Sequence, residues 1–256
     1  MNFLPALTEG DSRRSPAGVR NGRVCVLVDG RRRADIRMTQ CRLLPDGGRW
    51  HCMTRRFDRT DAGGRVHVQT LGVLAQLDYK QPAVHSYEQA FHAMRRLGLG
   101  REDMEQMCRR MVFNVVARNQ DDHVKKISFT MDQARVWALA PAYDLTWAYN
   151  TAGPRTARHQ MSVNGKRESF TVADFEAVGR VASLPRTLAS VVLKQTTEVV
   201  AGSAPQQRGD RALAVRDLSG GPLAGWAARA VALTSRGRGS TLPATARRSL
   251  AGPARR

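Results

Sequence analysis

The central part of the chain carries apolar residues with the period of an amphipathic helix. Residues 101–118 give the strongest pattern, because their apolar side chains fall three or four positions apart and so share one helix face. The residues of this face are Met104, Met107, Cys108, Met111, Val112 and Val115. Methionines in such a stripe are typical of core packing. A second helix is predicted over residues 86–97, with Ser86 as its cap, Glu88 in its first turn and Gly98 after its last residue.

Turn sequences divide the rest of the central region into two short hairpins and two further helices. The first hairpin is predicted from residues 37–44 and 50–56, which flank the turn sequence Pro45-Asp46-Gly47-Gly48. The remaining predicted segments are a second hairpin from residues 127–131 and 136–139, a helix over 170–181, and a helix over 183–200 broken near Pro185. Residues 66–77 are ambiguous. This order of hairpins and helices predicts an α+β fold in which helices dominate.

The two ends of the chain differ from this central region in composition. Residues 201–256 hold ten arginines against two acidic residues, and they contain no Lys, Glu, Ile, Phe, Tyr, Met, Cys, Asn or His. Such a segment lacks the large apolar side chains that offset the entropy of ordering. Residues 1–33 hold seven arginines against three acidic residues, with one apolar run at 24–28 that is long enough for an edge strand. We therefore expect a poorly structured segment at 1–35, a folded domain at 36–200, and a disordered basic tail at 201–256. The tail is either a basic segment that binds a partner or, as we favour, an end without function.

Composition excludes several classes of protein. At 42% hydrophobic residues the chain can bury a core, and its apolar stretches, such as residues 112–117, are far too short to span a membrane. No signal-peptide pattern follows Met1, and the four cysteines have neither zinc-site nor disulfide-domain spacing, so we expect a protein of the reducing cytoplasm. The formal net charge of +19 lies mostly in the two ends and forms no helical stripe with interleaved aromatic residues. A solvated basic surface is therefore favoured over direct nucleic-acid contact.

A dense polar cluster follows the helix at 101–118 and is the main candidate for chemistry. Asp121 lies in this cluster, and Asp144 follows the second hairpin 23 residues later. In protein kinases a loop Asp orients the substrate hydroxyl, an Asn five residues later helps to hold Mg²⁺, and a second Asp after a short hairpin binds the metal that bridges the phosphates. The layout here predicts that Asp121 faces the nucleophile and Asp144 the metal. On spacing alone, a solvated Asp-Asp-His loop explains the cluster equally well, and Asp122 with His123 makes only a weak metal site.

The residues of this segment also resemble one kinase family. The strings that carry the resemblance are Asn119-Gln120-Asp121-Asp122-His123-Val124-Lys125, Leu139-Ala140-Pro141-Ala142-Tyr143-Asp144-Leu145, Thr54-Arg55-Arg56-Phe57-Asp58-Arg59 upstream, and His159-Gln160-Met161-Ser162-Val163-Asn164-Gly165-Lys166-Arg167 downstream. In this order they resemble the HipA family of bacterial toxin kinases over residues 36–200. The resemblance implies the C-terminal lobe of a two-lobed serine/threonine protein kinase that uses ATP and Mg²⁺ to phosphorylate a protein substrate. It also implies a toxin that is held by a small DNA-binding antitoxin.

The resemblance assigns roles to individual residues as well. It implies that Asp121 is the catalytic base and that Asp144 is the metal-binding Asp. Phe57 and Asp58 resemble the hinge that meets adenine and ribose. His123 is placed beside the cofactor as a structural residue of the catalytic loop, and a packed, hydrogen-bonded histidine is the simpler interpretation of it.

The chain departs from the family pattern in two places. The metal-binding Asn should stand at position 126, where this chain has Lys126. An ammonium replaces part of a metal ion's charge but cannot ligate Mg²⁺. Only about 35 residues precede the region of resemblance at 36–200, and the first lysine is Lys80, so we expect little or no N-terminal lobe and an incomplete ATP site.

These departures keep two other functions open. The first is a non-catalytic module that binds an antitoxin or another protein, and the second, less favoured, is a basic nucleic-acid-binding protein. Asp122, next to the predicted catalytic residue, is expected to be solvated or to stabilise the loop.

Overall fold

The structure, a computed structural model, describes residues 3–5, 34–46 and 49–202. Its strands are Phe3–Pro5 (β1), Cys41–Asp46 (β2), Arg49–Arg55 (β3), His67–Thr70 (β4), Ser128–Met131 (β5) and Trp137–Leu139 (β6). Its helices are Leu71–Leu74 (α1), Tyr87–Arg96 (α2), Arg101–Val116 (α3), Val172–Val181 (α4) and Leu188–Gly202 (α5), with a 3₁₀ turn at Val124–Lys126. These elements confirm the predicted α+β fold with dominant helices. The predicted edge strand at 24–28 and the tail beyond Gly202 lie outside the described residues.

The first sheet has the strand order β1-β3-β2, with both pairings antiparallel. Phe3 lies opposite Arg55, and Cys41 lies opposite Thr54. The predicted first hairpin is therefore present, but its first strand begins at residue 41 rather than at 37 and continues through Asp46.

Arg37 is attached to α3 instead of pairing in this sheet, whereas Gln40 O, just before β2, accepts from Arg55 N at 2.9 Å. The Arg37 backbone N donates to Gln106 Oε1 at 2.7 Å, and the Arg37 guanidinium pairs with Asp103. The Arg37 carbonyl oxygen accepts from Ala142 N at 2.8 Å. These contacts with α3 and with the segment after β6 explain why the strand begins later than its residue pattern predicts.

The second sheet has the order β4-β5-β6 and is antiparallel throughout. It confirms the predicted hairpin of β5 and β6. The ambiguous segment at 66–77 supplies strand β4 and then helix α1, which Thr70 caps by accepting from Val73 N at 3.3 Å. Leu71 N donates to Ile127 O at 2.8 Å and so joins α1 to the start of the hairpin.

Helix α3 lies at the centre of the helical part and packs against α2 and α5, while α4 packs against α5. All members of the predicted apolar stripe are buried: Met104, Met107, Cys108, Met111, Val112 and Val115. Helix α2 begins as predicted at Ser86, which forms a capping box with Gln89. Gly98 follows it with a φ of +73°, a backbone conformation that glycine adopts without steric cost. Every described helix falls short of the length and apolarity that a bilayer span requires.

Candidate active site

A tight turn after α3 fixes the polar loop at residues 119–123. Arg118 adopts a left-handed backbone with a φ of 54°, which reverses the chain direction. Asn119 then bonds back to the helix, because its backbone N donates to Asn114 O at 2.8 Å and its Nδ2 donates to Asn114 Oδ1 at 2.9 Å. The loop therefore has a defined position relative to the buried face of α3.

Three charged side chains, Asp121, Lys126 and Asp144, form what we call the carboxylate cluster. Lys126 Nζ lies 3.3 Å from Asp121 Oδ2 and also contacts Asp144 Oδ2. The side chains of Asp121, Asp144 and Lys126 are 38%, 28% and 20% exposed, so solvent reaches the cluster. The two acidic residues that the sequence singles out thus meet at one point, with an ammonium between them.

Asp121 is held by two further residues. Gln160 Nε2 donates to Asp121 Oδ1 at 2.7 Å, and His123 Nε2 lies 3.7 Å from the same oxygen. His123 Nδ1 accepts from Lys125 N at 3.3 Å and caps the 3₁₀ turn, so the neutral ring carries its proton on Nε2. Burial lowers the pKa of His123, and the nearby Asp121 carboxylate opposes this shift. The contacts of His123 thus match a packed, hydrogen-bonded histidine, the simpler of its two interpretations, and not a contact with a cofactor.

Asp122 is not solvated, which corrects one of the two expectations for it. Its side chain is 1% exposed and accepts three hydrogen bonds. Asp122 Oδ2 accepts from Tyr87 OH at 3.0 Å and from His159 Nδ1 at 2.9 Å, and Oδ1 accepts from Gln160 N at 2.8 Å. A buried carboxylate needs such donors to offset its lost hydration. The geometry therefore matches the loop-stabilising alternative.

The contacts of Asp122 continue into the helical core as a chain of hydrogen bonds. Tyr87 OH, which donates to Asp122, accepts from Asn114 Nδ2 at 2.9 Å. Asn114 in turn accepts from Asn119 at the start of the loop. Burial and the Asp122 charge raise the pKa of Tyr87 well above its ordinary value, so this hydroxyl stays protonated and can donate. We call Asn119, Asn114, Tyr87, Asp122 and His159 the buried network.

Phe57 contacts the segment that carries Asp144 through its ring. Its ring centroid is 5.7 Å from that of Tyr143, the residue before Asp144. Tyr143 OH donates to Lys125 O at 2.6 Å and lies 2.5 Å from Ser128 Oγ, so the aromatic pair is tied to the loop and to β5. The ring of Phe57 is therefore positioned by the residues that flank Asp144.

Asp58 has its side chain directed to two arginines. Arg56 donates to both carboxylate oxygens, through Nε at 2.8 Å and through Nη2, while Arg59 Nη1 donates to Oδ2 at 2.7 Å. The hydrogen bonds from Arg56 lower the pKa of Asp58, and the charge of Arg59 adds to this shift. Both oxygens that a ribose hydroxyl would meet are thus engaged within the chain.

Sequence reasoning missed the residues that hold the two adjacent aspartates. Gln160 contacts Asp121 through its side chain and Asp122 through its backbone N, and His159 supplies a second donor to Asp122. His159 and Gln160 stand in one of the strings that resemble the HipA family, but that resemblance assigns them no role. A further signal was Asn114, a polar residue buried among the apolar residues of α3.

Asp121 and Asp144 offer carboxylate oxygens, which are the ligands that Mg²⁺ prefers. Their arrangement around Lys126, however, does not leave enough free oxygens to bind two ions. In the part of the chain that the structure describes, no three His, Cys, Asp or Glu side chains group closely enough to enclose a metal. Lys126 engages one oxygen each of Asp121 and Asp144, and Gln160 engages the other oxygen of Asp121. The Lys126 ammonium therefore occupies the space between the two carboxylates, and Asp144 Oδ1 is the carboxylate oxygen of the cluster that is left without a partner among the described residues.

Two solved structures share the fold of this chain. One is HipA of Shewanella oneidensis MR-1, solved in a complex with HipB and operator DNA. It superposes on this chain with a TM-score of 0.59 at 16% sequence identity, and the superposition covers 88% of this chain and 58% of the HipA chain. The Helicobacter pylori proinflammatory kinase CtkA superposes with a TM-score of 0.51 at 10% identity, covering 84% of this chain and 88% of its own. At these identities the likeness establishes a kinase-like fold and nothing more specific.

Sequence similarity adds the family. The "Putative kinase Y4dM" of Sinorhizobium fredii (strain NBRC 101917 / NGR234) is 30% identical over an alignment of 154 residues, which covers 56% of this chain and 35% of that relative. The chain thus corresponds to 35% of the length of this curated relative and to 58% of the HipA structure. A family model described as the HipA-like C-terminal domain matches residues 24–203, which is more than half of the chain. The resemblance carried by the strings around Asp121 and Asp144 is thereby confirmed, and the chain belongs to the HipA-like family, whose C-terminal domain it contains.

Proposed function

We propose that this chain supplies the catalytic lobe of a protein serine/threonine kinase, which transfers a phosphoryl group from ATP to a protein hydroxyl. The observation that carries the proposal is the convergence of Asp121 and Asp144 on Lys126 Nζ, from loops on either side of the β5–β6 hairpin. Phosphoryl transfer depends mainly on positioning and on charge neutralisation. Two accessible carboxylates held at fixed positions serve both needs.

Asp121 is the proposed base. Its carboxylate accepts a hydrogen bond from the substrate hydroxyl and takes the proton as the phosphoryl group is transferred. Gln160 Nε2, at 2.7 Å from Oδ1, fixes the rotation of this carboxylate. Lys126 lies 3.3 Å from Oδ2, but the Asp121 side chain is 38% exposed and each oxygen has a second acceptor position, which a substrate hydroxyl can reach. His123 Nε2 lies 3.7 Å from Oδ1, so we assign His123 to the positioning of Asp121 and not to a contact with the cofactor.

Asp144 would hold the divalent ion that accompanies ATP, because it offers a carboxylate oxygen at the accessible face of the cluster. When bound, the Mg²⁺–ATP pair supplies the phosphoryl group and most of the charge neutralisation. Phe57 provides an aromatic surface beside Tyr143 for the nucleotide base. Asp58 contacts the ribose only if one of its hydrogen bonds with Arg56 or Arg59 is exchanged.

The test is transfer of labelled γ-phosphate from ATP to a generic Ser/Thr protein, at millimolar ATP, by this chain joined to the N-terminal lobe of a HipA-family kinase, which adds the phosphate-binding loop and the strand lysine. We expect Asp121→Asn to reduce transfer by about 100-fold or more, because an amide does not take the proton. Asp144→Asn should be similarly severe through loss of a metal ligand. The matched control is Asp61→Asn, which changes an exposed carboxylate on Arg55 and should leave transfer unchanged. Equal transfer by wild type and Asp121→Asn, or no transfer by wild type, would overturn the proposal.

The biological setting that we propose is a cytoplasmic toxin–antitoxin pair, in which a small DNA-binding antitoxin holds the kinase. The support is at the family level, since the Shewanella HipA structure contains HipB and operator DNA. A non-catalytic module that binds such an antitoxin is the second candidate, and the position of Lys126 between the two carboxylates favours it. Antitoxin binding that survives Asp121→Asn, in a chain that transfers no phosphate, would select this second function.

A further inference from the structure

Lys126 is fixed in the carboxylate cluster from both its backbone and its side chain. Its backbone N donates to His123 O at 2.8 Å and closes the 3₁₀ turn. Its ammonium contacts Oδ2 of Asp121 and Oδ2 of Asp144, which come from different loops. An ordinary surface lysine pairs with one carboxylate and is largely solvated, whereas this side chain is only 20% exposed. The ammonium therefore occupies the point at which two carboxylates converge.

The remaining carboxylate oxygens of the cluster are not equivalent. Asp121 Oδ1 accepts from Gln160 Nε2 at 2.7 Å and faces His123 Nε2 at 3.7 Å. Asp144 Oδ1, by contrast, has no hydrogen-bond or ion-pair partner among residues 34–46 and 49–202. A divalent ion placed between the two carboxylates would have to displace the ammonium, which the chain holds at a high effective concentration. An ion at Asp144 Oδ1 would not.

We propose that Lys126 is a built-in monovalent cation that excludes a divalent ion from the space between Asp121 and Asp144, so that this site takes one divalent ion, on Asp144, rather than two. The inference rests on the proposed function only for the statement that the ion accompanies ATP. The exclusion itself follows from the chain's own charges. Two carboxylates and one ammonium leave a single net negative charge, which favours a divalent cation much less than two uncompensated carboxylates do.

The test is a titration with Mn²⁺ alone, without nucleotide or protein substrate, in which electron paramagnetic resonance measures the free ion. We expect wild type to bind Mn²⁺ weakly. Lys126→Asn should bind an additional ion between the two carboxylates, at least about tenfold more tightly than wild type binds Mn²⁺, because it removes the fixed positive charge and adds an oxygen ligand. Lys126→Met should show a smaller gain, since it removes the charge without adding a ligand, and it keeps the test decisive if Lys126→Asn fails to fold.

A matched control separates this effect from a general change in charge. The adjacent Lys125 has its ammonium 3.5 Å from the centre of the Tyr79 ring, outside the cluster, so Lys125→Asn should leave Mn²⁺ affinity unchanged. Adding Asp121→Asn to Lys126→Asn should abolish the gain, because the new ion lies between the two carboxylates. Equal affinity in wild type and both Lys126 variants, or an equal gain in Lys125→Asn, would overturn the proposal. A failed phosphate-transfer experiment would not, because the titration contains no nucleotide.

Discussion

Asp121 and Asp122 are consecutive residues, yet they belong to two different regions of the molecule. Asp121 lies in the carboxylate cluster, where solvent reaches it and a lysine lies beside it. Asp122 lies in the buried network, where three donors surround it and almost no surface remains exposed. Similar side chains thus have different physical roles: one carboxylate is available to a reagent, and the other holds the loop to the helices.

Gln160 links the two regions. Its backbone N donates to Asp122 and its side chain donates to Asp121, so the position of the accessible carboxylate depends on the segment that also satisfies the buried one. The division between the carboxylate cluster and the buried network shows that an accessible carboxylate can be oriented by the partner of its buried neighbour without being buried itself. It also separates what each aspartate should contribute to stability from what it should contribute to chemistry.

The largest effect on stability should follow from removing the buried carboxylate. Asp122→Ala leaves Tyr87 OH, His159 Nδ1 and Gln160 N without their acceptor, and we expect the free energy of unfolding to fall by about 3 kcal/mol or more. Guanidinium unfolding followed by circular dichroism measures it. The control Asp61→Ala removes an exposed carboxylate and should cost less than about 0.5 kcal/mol. A loss for Asp122→Ala no larger than that of the control would place Asp122 outside the buried network.

A second buried carboxylate, Asp174 near the start of α4, should make stability depend on pH. Burial raises its pKa, but hydrogen bonds from Asn164, Lys166 and Thr171 together outweigh burial and lower the pKa below its ordinary value. Its stabilising effect is therefore fully present above the unfolded pKa of roughly 4 and declines as the pH falls through and below that value.

Asp174→Asn should accordingly lose about 2 kcal/mol at neutral pH and less in acid, so that the gap from wild type narrows below about pH 4. Unfolding curves at a series of pH values measure this gap. Ser190→Ala, which removes a neutral hydroxyl that donates to Thr187 O at 2.9 Å, is the control, and its gap from wild type should not change with pH. A gap that stays constant with pH would show that the ionised carboxylate is not the stabilising species.

A smaller effect should follow from removing one hydroxyl of the buried network. Tyr87→Phe deletes the donor to Asp122 and the acceptor of Asn114, at an expected cost of about 1 kcal/mol. Tyr149→Phe is the matched control, because the described contacts of Tyr149 with Trp147 and Arg118 are made by its ring. Thermal unfolding of both variants makes the comparison, and an equal shift in Tm for the two would count against the network.

The parts of the fold that depend only on neighbouring residues could be predicted from the sequence. The stripe on α3, the cap at Ser86 and the β5–β6 hairpin depend on spacing within a few residues. Strand β4 was ambiguous because its partner β5 lies almost sixty residues further along the chain. The late start of β2 depends on contacts of Arg37 with α3 that no local pattern encodes.

In the candidate site, too, some features could be predicted from the sequence and others could not. The spacing of Asp121 and Asp144 around a hairpin, together with the resemblance, predicted both as site residues, and their catalytic and metal-binding roles stay predictions. Nothing in the loop itself indicates which of Asp121 and Asp122 faces the core. That choice is made by Tyr87 and His159, which lie 35 and 37 residues away in sequence.

The smallest expected effect, that of Asp121→Asn on stability, gives the most direct test of the division between the carboxylate cluster and the buried network. Asp121→Asn and Asp122→Asn make the same chemical change at adjacent positions, so their free energies of unfolding, measured side by side, separate the two regions. We predict that Asp121→Asn changes stability by less than about 0.5 kcal/mol, because its carboxylate is accessible to solvent. Asp122→Asn should cost about 2 kcal/mol or more, because an amide places donors against the donors of the buried network. Equal losses for the two variants, or a larger loss for Asp121→Asn, would contradict the division between an accessible carboxylate at Asp121 and a buried structural carboxylate at Asp122.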